Sequence, residues 1–177
     1  MSSGTTKNSF NEAPPRRTGV HALIVRDDHL LMVNRRGEVA VSRWGLPRGS
    51  AAPGEPPRQA LSRTLDERLG LRAIPGQWME WRWLAVDLVP AGPNKHVEGT
   101  NWIYEVELPE NVEPVITEDG VFSEARWVAR TAIGELAVDH SLRRIERSLL
   151  AAKTGVVAEL YLGEPIQSID PRAHQSG

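Results

Sequence analysis

Carboxylate and guanidinium side chains crowd one short stretch in the first half of the chain, where they could support two kinds of chemistry. Glu55 and Glu67 offer the hard oxygen ligands that Mg²⁺ takes while it keeps several waters, whereas Asp66 lies on another face and is a poor substitute. Arg63 and Arg68 carry guanidinium groups, which pair with phosphate oxygens. The stretch could therefore hold a metal ion or an anion. Alternatively, Arg63 and Glu67, four residues apart, could simply brace a helix.

The residues around these side chains predict a loop that leads into an amphipathic helix. Glycine and proline interrupt regular structure at four positions: Pro47, Gly49, Pro53 and Gly54. Pro56 and Pro57 suit a first helical turn, and Gly70 supplies the stop. Leucines at a four-residue spacing form one apolar stripe: Leu61, Leu65 and Leu69. Glu55 stands just ahead of the helix, where its charge also favours the helix N-terminus.

From Gly49 to Leu71 the chain resembles a Nudix box, whose pattern is G-x5-E-x7-R-E-U-x-E-E-x-G-U with U a bulky aliphatic residue. Gly49, Glu55 and Arg63 stand at the expected places, and every spacing fits without a gap. The later segment from Glu124 to Trp127 resembles the E-x-x-W of the same family. The resemblance implies an α/β/α sandwich around a mixed β-sheet. It also implies hydrolysis of a nucleoside diphosphate linked to another moiety, Mg²⁺ or Mn²⁺ as cofactor, and a homodimer.

Two positions depart from the family pattern and make this a degenerate Nudix box. The family's two core metal ligands are glutamates four residues apart, and they map onto Thr64 and Arg68. Threonine is a weak neutral ligand, and arginine repels a nearby cation. Two alternatives follow for Arg68. Either its guanidinium pairs with a ligand phosphate in place of the metal, or it pairs with Glu67 or Glu55 and closes the site.

The resemblance and the charges together give a set of candidate site residues. The candidate catalytic carboxylates are Glu67, Glu124 and Glu118. The candidate substrate-binding residues are Arg35, Arg36, Arg48, Arg68 and Trp83. The candidate metal ligands, carried over from the family, are Glu55 and Glu67. Each has a plainer alternative: a solvated arginine, a core or dimer-face tryptophan, or a carboxylate that only stabilises structure.

The composition of the chain limits the kinds of protein and of partner that we expect. With 177 residues the chain suits one domain. A net charge of −2 argues against a partner that is a nucleic acid polymer. The chain has no cysteine and no apolar run of about 18 residues, so we expect no membrane partner and a cytoplasmic location.

Alternating and turn-rich segments predict strands at 18–26, 29–35, 39–44, 72–90, 101–108 and 122–128. Helices are predicted at 131–136 and 140–153, and 156–162 is ambiguous between strand and helix. The predicted organisation is a flexible segment 1–17, a single domain 18–162 and a polar tail 163–177. The pair Arg16 and Arg17 falls in the first of these as part of a solvated basic tail, with contact to a phosphate as the alternative.

Three functions stay open from the sequence. The first is a phosphohydrolase with an altered metal site, acting on a nucleoside-diphosphate-like or other phosphorylated small molecule. The second is a catalytically silent protein that binds a nucleotide-like ligand. The third is an enzyme that does different, metal-free chemistry in the same pocket.

Overall fold

The structure is a computed structural model that describes residues 16–37, 44–72, 81–92, 97–118, 120–137 and 139–166. The predicted strand 39–44 therefore lies almost entirely outside the described residues, as do most of the predicted flexible segment and most of the predicted tail. The division into a segment, a domain and a tail stays a prediction.

A six-stranded mixed sheet forms the centre of the molecule, in the order β10-β9-β6-β7-β1-β5. Its strands are β1 (Arg16–Leu23), β5 (Arg48–Ser50), β6 (Arg82–Val89), β7 (Glu98–Glu105), β9 (Ala158–Tyr161) and β10 (Glu164–Pro165). Strands β1 and β7 run parallel, as do β6 and β9, whereas the other neighbours are antiparallel. Strand β1 thus sits between the box loop, which contains β5, and the rest of the sheet.

A second sheet is built around β3 (His29–Arg35), which pairs antiparallel with β2 (Val25–Arg26), β4 (Trp44–Gly45) and β8 (Phe122–Ala129). The register of β3 and β8 places Arg35 opposite Phe122. The candidate Arg35 therefore stands at the end of this sheet, beside the first residue of β8.

The box helix α1 (Pro57–Leu69) forms as the sequence predicts. Proline occupies its first turn, and Gly70 ends it with a positive φ of 62°, a left-handed conformation that glycine adopts at low cost. Its apolar stripe is buried against the central sheet: Ala60, Leu61, Leu65 and Leu69. The helix is thereby held rigidly beside the box loop.

The other face of the central sheet is covered by α2 (Ile133–Leu136), after a 3₁₀ turn (Arg130–Ala132), and by α3 (Asp139–Thr154). Alternation along β1 divides the core in two. Val20 and Ala22 pack with the α1 side, and Leu23 packs with Ile145 and Ala151 of α3. The fold is therefore an α/β/α sandwich around a mixed sheet, which confirms the predicted fold class.

The ambiguous segment 156–162 contains a strand, β9, which joins β6 in parallel and pairs with β10. Burial of Leu160 in the core accounts for the choice, because a strand there fills the sheet edge beside β6. The first residues of the predicted tail, 163–166, thus take part in this hairpin. No helix in the described ranges is long and apolar enough to cross a membrane.

Candidate functional site

A cavity of about 480 Å³ opens where β1, β5 and β7 meet the ends of α1, β3 and α3. Basic side chains dominate the described residues of its lining: Arg17, His21, Arg35, Arg48, Arg68, His140 and Arg144. The remaining described lining is Gly49, Ser50, Val89, Val97, Gly99, Asn101 and Phe122, so no described lining residue is acidic. A cavity with this lining attracts anions and repels cations.

The floor of the cavity holds a buried, uncharged imidazole. His21 on β1 is 5% exposed, and its Nε2 lies 3.2 Å from Oδ1 of Asn101 on β7. Burial, followed by the nearby guanidinium groups of Arg144, Arg48 and Arg17, holds the His21 pKa well below its usual value. Since neutral imidazole has one N–H, donation from Nε2 to Asn101 leaves Nδ1 as a hydrogen-bond acceptor.

The positive charges of the cavity also act on one another. Burial lowers the pKa of Arg17, and the neighbouring Arg35 and Arg144 lower it further. These arginines come from β1, β3 and α3, and α3 lies far from the two strands in the chain. The tertiary structure therefore concentrates positive charge at a place where an anion would relieve the repulsion.

Arg63 holds the box loop against the box helix. Its Nε and Nη2 donate to Glu55 at 2.9 and 2.8 Å, its Nη2 also donates to the Ser50 carbonyl oxygen at 3.0 Å, and its Nη1 donates to Glu67 at 3.1 Å. Hydrogen bonds from Arg63 and from the Ala52 N–H lower the Glu55 pKa to about 2. The two carboxylates that were candidate metal ligands are thus bound to one arginine.

The two departures from the box pattern take different positions. Thr64 is 1% exposed, and its Oγ1 has no hydrogen-bond partner among the described residues. The side chain packs against Gly49, where an added Cβ would lie only 2.8 Å from Cγ2 of Thr64. Arg68 donates from Nη1 to the Arg48 carbonyl oxygen at 2.6 Å, and its guanidinium carbon lies 5.5 Å from the centre of the Phe122 ring. Arg68 is thereby fixed at the cavity wall.

On the opposite wall, α3 contributes Arg144, whose side chain is 6% exposed. Its Nε and Nη2 lie 2.6 and 2.5 Å from Oδ2 of Asp87, a fully buried residue of β6. The other carboxylate oxygen of Asp87 accepts the Gly163 N–H at 2.9 Å. A buried ion pair with this many hydrogen bonds fixes the orientation of the guanidinium.

The structure brings some of the predicted residues to the cavity and leaves others elsewhere. Arg35, Arg48 and Arg68 belong to its lining. The other six are outside the described lining: Arg36, Glu55, Trp83, Glu67, Glu118 and Glu124. Their roles as site residues stay predictions.

The contacts of these residues show what each does in the fold. Trp83 lies against Trp102, with ring centroids 5.3 Å apart, and its Nε1 donates to the Ala85 carbonyl oxygen. Glu124 accepts from Arg126, whereas Glu118 and Arg36 are exposed.

Sequence reasoning missed the residues that the central sheet and α3 bring to the cavity. His21, Asn101 and Arg144 belong to no motif, and the composition of residues 1–17 predicts a flexible segment that includes Arg17. A usable signal was the β-branched run that contains His21, since a polar residue inside a buried strand requires a partner.

Comparison with known proteins identifies the family. The profile of the NUDIX domain matches residues 15–150, which is most of the chain. The chain belongs to the NUDIX domain family. This assignment confirms the resemblance that the box indicates, and Nudix hydrolases generally use divalent metals such as Mg²⁺ or Mn²⁺.

Among curated relatives, the chain is similar to Nudix hydrolase 25 of Arabidopsis thaliana, at 26% identity over 149 residues, 73% of this chain and 82% of that protein. It is also similar to the RNA pyrophosphohydrolase of Rickettsia typhi, at 36% identity over 66 residues, 36% of this chain. The match spans 41% of the length of that Rickettsia protein, so only part of the relative is represented.

Solved structures share the fold. A MutT NUDIX hydrolase from Burkholderia pseudomallei aligns with a TM-score of 0.61 at 22% identity, over 75% of this chain and 98% of that chain. The NUDIX domain of Shewanella oneidensis NrtR, solved in complex with ADP ribose, aligns with a TM-score of 0.60 at 16% identity, over 84% and 94%. At these identities the likeness concerns the fold alone.

The Nudix metal does not fit the box residues of this chain. The family's ligand positions hold a buried threonine hydroxyl and a guanidinium. The carboxylates of Glu55 and Glu67 accept hydrogen bonds from Arg63. Within the described ranges, no group of three or more His, Asp or Glu side chains could hold a metal ion. The disagreement follows from the donor set, because a guanidinium donates hydrogen bonds and accepts none.

Proposed function

We propose that this chain binds a phosphorylated small molecule of the nucleoside-diphosphate type, with arginines taking the place of the divalent ion. The cavity lining carries the proposal: five arginines surround about 480 Å³, and none of the described lining residues is acidic. Arginine matches phosphate geometry with two parallel N–H donors, and it keeps its charge at any relevant pH. Net charge is moderate over the whole chain, so this positive character is local to the cavity.

The position of Arg68 supports the first of the two alternatives that the sequence leaves open. Its guanidinium is oriented by the Arg48 carbonyl oxygen and by the face of Phe122, both beside the cavity. The carboxylates of Glu55 and Glu67 are held by Arg63. A pre-oriented guanidinium loses little conformational entropy when an anion binds, and it stabilises charge on a phosphate without a metal.

Binding in the presence of a chelator tests this proposal. Calorimetric titration of ADP-ribose, ADP and pyrophosphate with EDTA present should give saturable binding. Arg68→Met should weaken it about 10- to 100-fold, the range for one charge-assisted hydrogen bond. Arg72→Met is the matched control, since Arg72 is an exposed arginine that pairs with Asp66 near the end of the same helix. Failure of all three probes to bind, or equal affinity for the Arg68→Met variant, would overturn the proposal.

Hydrolysis of a phosphoanhydride with an altered metal site is the second candidate function. Family membership and the similarity to Nudix hydrolase 25 over 73% of the chain favour it. Phosphate release from a panel of diphosphate compounds, measured with Mg²⁺, Mn²⁺ or EDTA, separates the cases. Turnover that requires the ion supports the hydrolase, and turnover in EDTA supports metal-free chemistry. The absence of turnover with every compound supports the catalytically silent binding protein.

The carboxylates Glu67, Glu118 and Glu124 belong to that second candidate as its proposed catalytic residues. Single replacements by glutamine keep their size and remove their charge. A loss of turnover with unchanged ligand affinity would identify the base among them. The homodimer and the cytoplasmic location also stay predictions, and the mass of the protein in solution tests the first of them.

A further inference from the structure

We propose that Arg144 binds the anionic ligand directly and that Asp87, together with the β9–β10 turn, is the positioning device for it. The proposal rests on the proposed function and extends its site to a part of the chain that follows the residues matched by the family profile. That match ends at residue 150, whereas the turn is centred on Leu162 and Gly163.

The hydrogen bonds of Arg144 leave one side of its guanidinium for the cavity. Nε and Nη2 face Oδ2 of Asp87, at 2.6 and 2.5 Å. The residue lines the cavity although its side chain is only 6% exposed, and Nη1 is the guanidinium nitrogen that does not face Asp87, so we assign the ligand contact to Nη1. An arginine held along one edge by a carboxylate presents its other edge in a fixed direction.

The turn between β9 and β10 completes this arrangement through a backbone donor. Gly163 has a φ of +80° and donates its N–H to Oδ1 of Asp87 at 2.9 Å. An added Cβ there would lie 2.8 Å from the His140 carbonyl oxygen and 2.9 Å from Cβ of Arg143. The turn can therefore reach Asp87 only because residue 163 is glycine.

A second set of contacts ties the same turn to the first turns of α3. Arg143 pairs with Glu164 at 2.9 Å and donates to the Leu162 carbonyl oxygen at 3.4 Å. His140 and Arg144, one turn apart on α3, both line the cavity. The hairpin thus contacts the part of α3 that lines the cavity.

The charge of Arg144 also reaches the cavity floor. It is the charged neighbour that contributes most to the lowered pKa of His21, ahead of Arg48 and Arg17. His21, Arg48 and Arg144 line the same cavity, so an anion bound there would lie beside both the box side and α3.

Titration of the full chain with pyrophosphate and with ADP-ribose, in EDTA, tests the assignment. Arg144→Met should weaken binding about 10- to 100-fold. Arg144→Lys keeps the charge but loses the planar guanidinium with its paired donors, so it should weaken binding less. Arg147→Met is the matched control, because Arg147 is on the same helix but outside the described cavity lining. Gly163→Ala should weaken binding as well, although both charges of the buried pair remain.

Nuclear magnetic resonance of the arginine Nε–H groups gives a readout that a purely structural role would not move. The Arg144 signal, assigned by its loss in the lysine variant, should shift on addition of pyrophosphate to the unaltered protein. A signal that stays in place while other arginine signals shift would overturn this inference alone, and so would unchanged affinity of the Arg144→Met variant. If the unaltered protein binds neither probe, this inference falls together with the proposed function.

Discussion

Restoring the two box glutamates should convert the arginine site into a metal site. The perturbation is the double variant Thr64→Glu, Arg68→Glu. For a dication about 6 Å from a unit charge, the Coulomb energy in water is roughly 1.4 kcal/mol, and it is larger in a partly buried site. Reversing the charge at position 68 alone therefore changes metal binding by roughly 3 kcal/mol, which is about 100-fold in the dissociation constant.

The packing of Thr64 adds a second, measurable consequence. The side chain is 1% exposed and touches Gly49, so a glutamate at 64 places a carboxylate in a confined site. Without a cation this charge is poorly solvated, and the variant should unfold at a lower temperature in EDTA. Added Mn²⁺ should raise that temperature again, because a ligand that binds only the folded state stabilises it.

Calorimetric titration with Mn²⁺ and thermal unfolding with and without EDTA provide the assay. The matched control is Thr64→Val, Arg68→Met, which removes the same two side chains and adds no carboxylate. We expect Mn²⁺ binding in the glutamate variant and at least about 100-fold weaker binding in the control and in the unaltered protein. Equally tight Mn²⁺ binding by the unaltered protein would refute the argument that Arg68 and Thr64 displace the metal.

Three further predictions concern the same loop and helix. Thr64→Val should stabilise the fold by about 1 kcal/mol in urea unfolding, because it removes a buried hydroxyl that has no partner in the described part of the chain. A loss of stability would reveal a partner for that hydroxyl. Gly49→Ala should cost about 1–3 kcal/mol, since the new Cβ overlaps Thr64; the test is whether Thr64→Ala reduces that cost. Glu55→Gln should lower the stability of the fold at pH 7 and flatten the dependence of stability on pH between about 4.5 and 2. The Glu55 pKa is about 2 in the fold, so the stabilisation by the Glu55 carboxylate disappears as pH falls through that window. An unchanged slope would contradict the Arg63–Glu55 assignment.

The fold and one wall of the candidate site could be predicted because their signals are local. The box helix has its proline start, leucine stripe and glycine end within fourteen residues, and α1 spans Pro57–Leu69 as that pattern indicates. Arg48 precedes the box loop and Arg68 lies in the last turn of the box helix, so their place at one cavity follows from the motif. Trp83 shows the limit of this reasoning, because the alternation of a strand does not say which face meets a ligand and which meets Trp102.

From spacing and residue type alone, the sequence determined the family and the sandwich, and it predicts that Thr64 and Arg68 stand where the family has its two metal-binding glutamates. Only the tertiary structure decided which side chains meet around the cavity. His21 meets Asn101 across 80 residues, and Arg144 meets Asp87 across 57, because the parallel pairing of β1 with β7 and the packing of α3 on β6 set those neighbours. Such contacts depend on strand order and helix placement, which no local pattern specifies. The arginine cavity is therefore a property of the assembled sheet and helices, although the motif marks one of its walls.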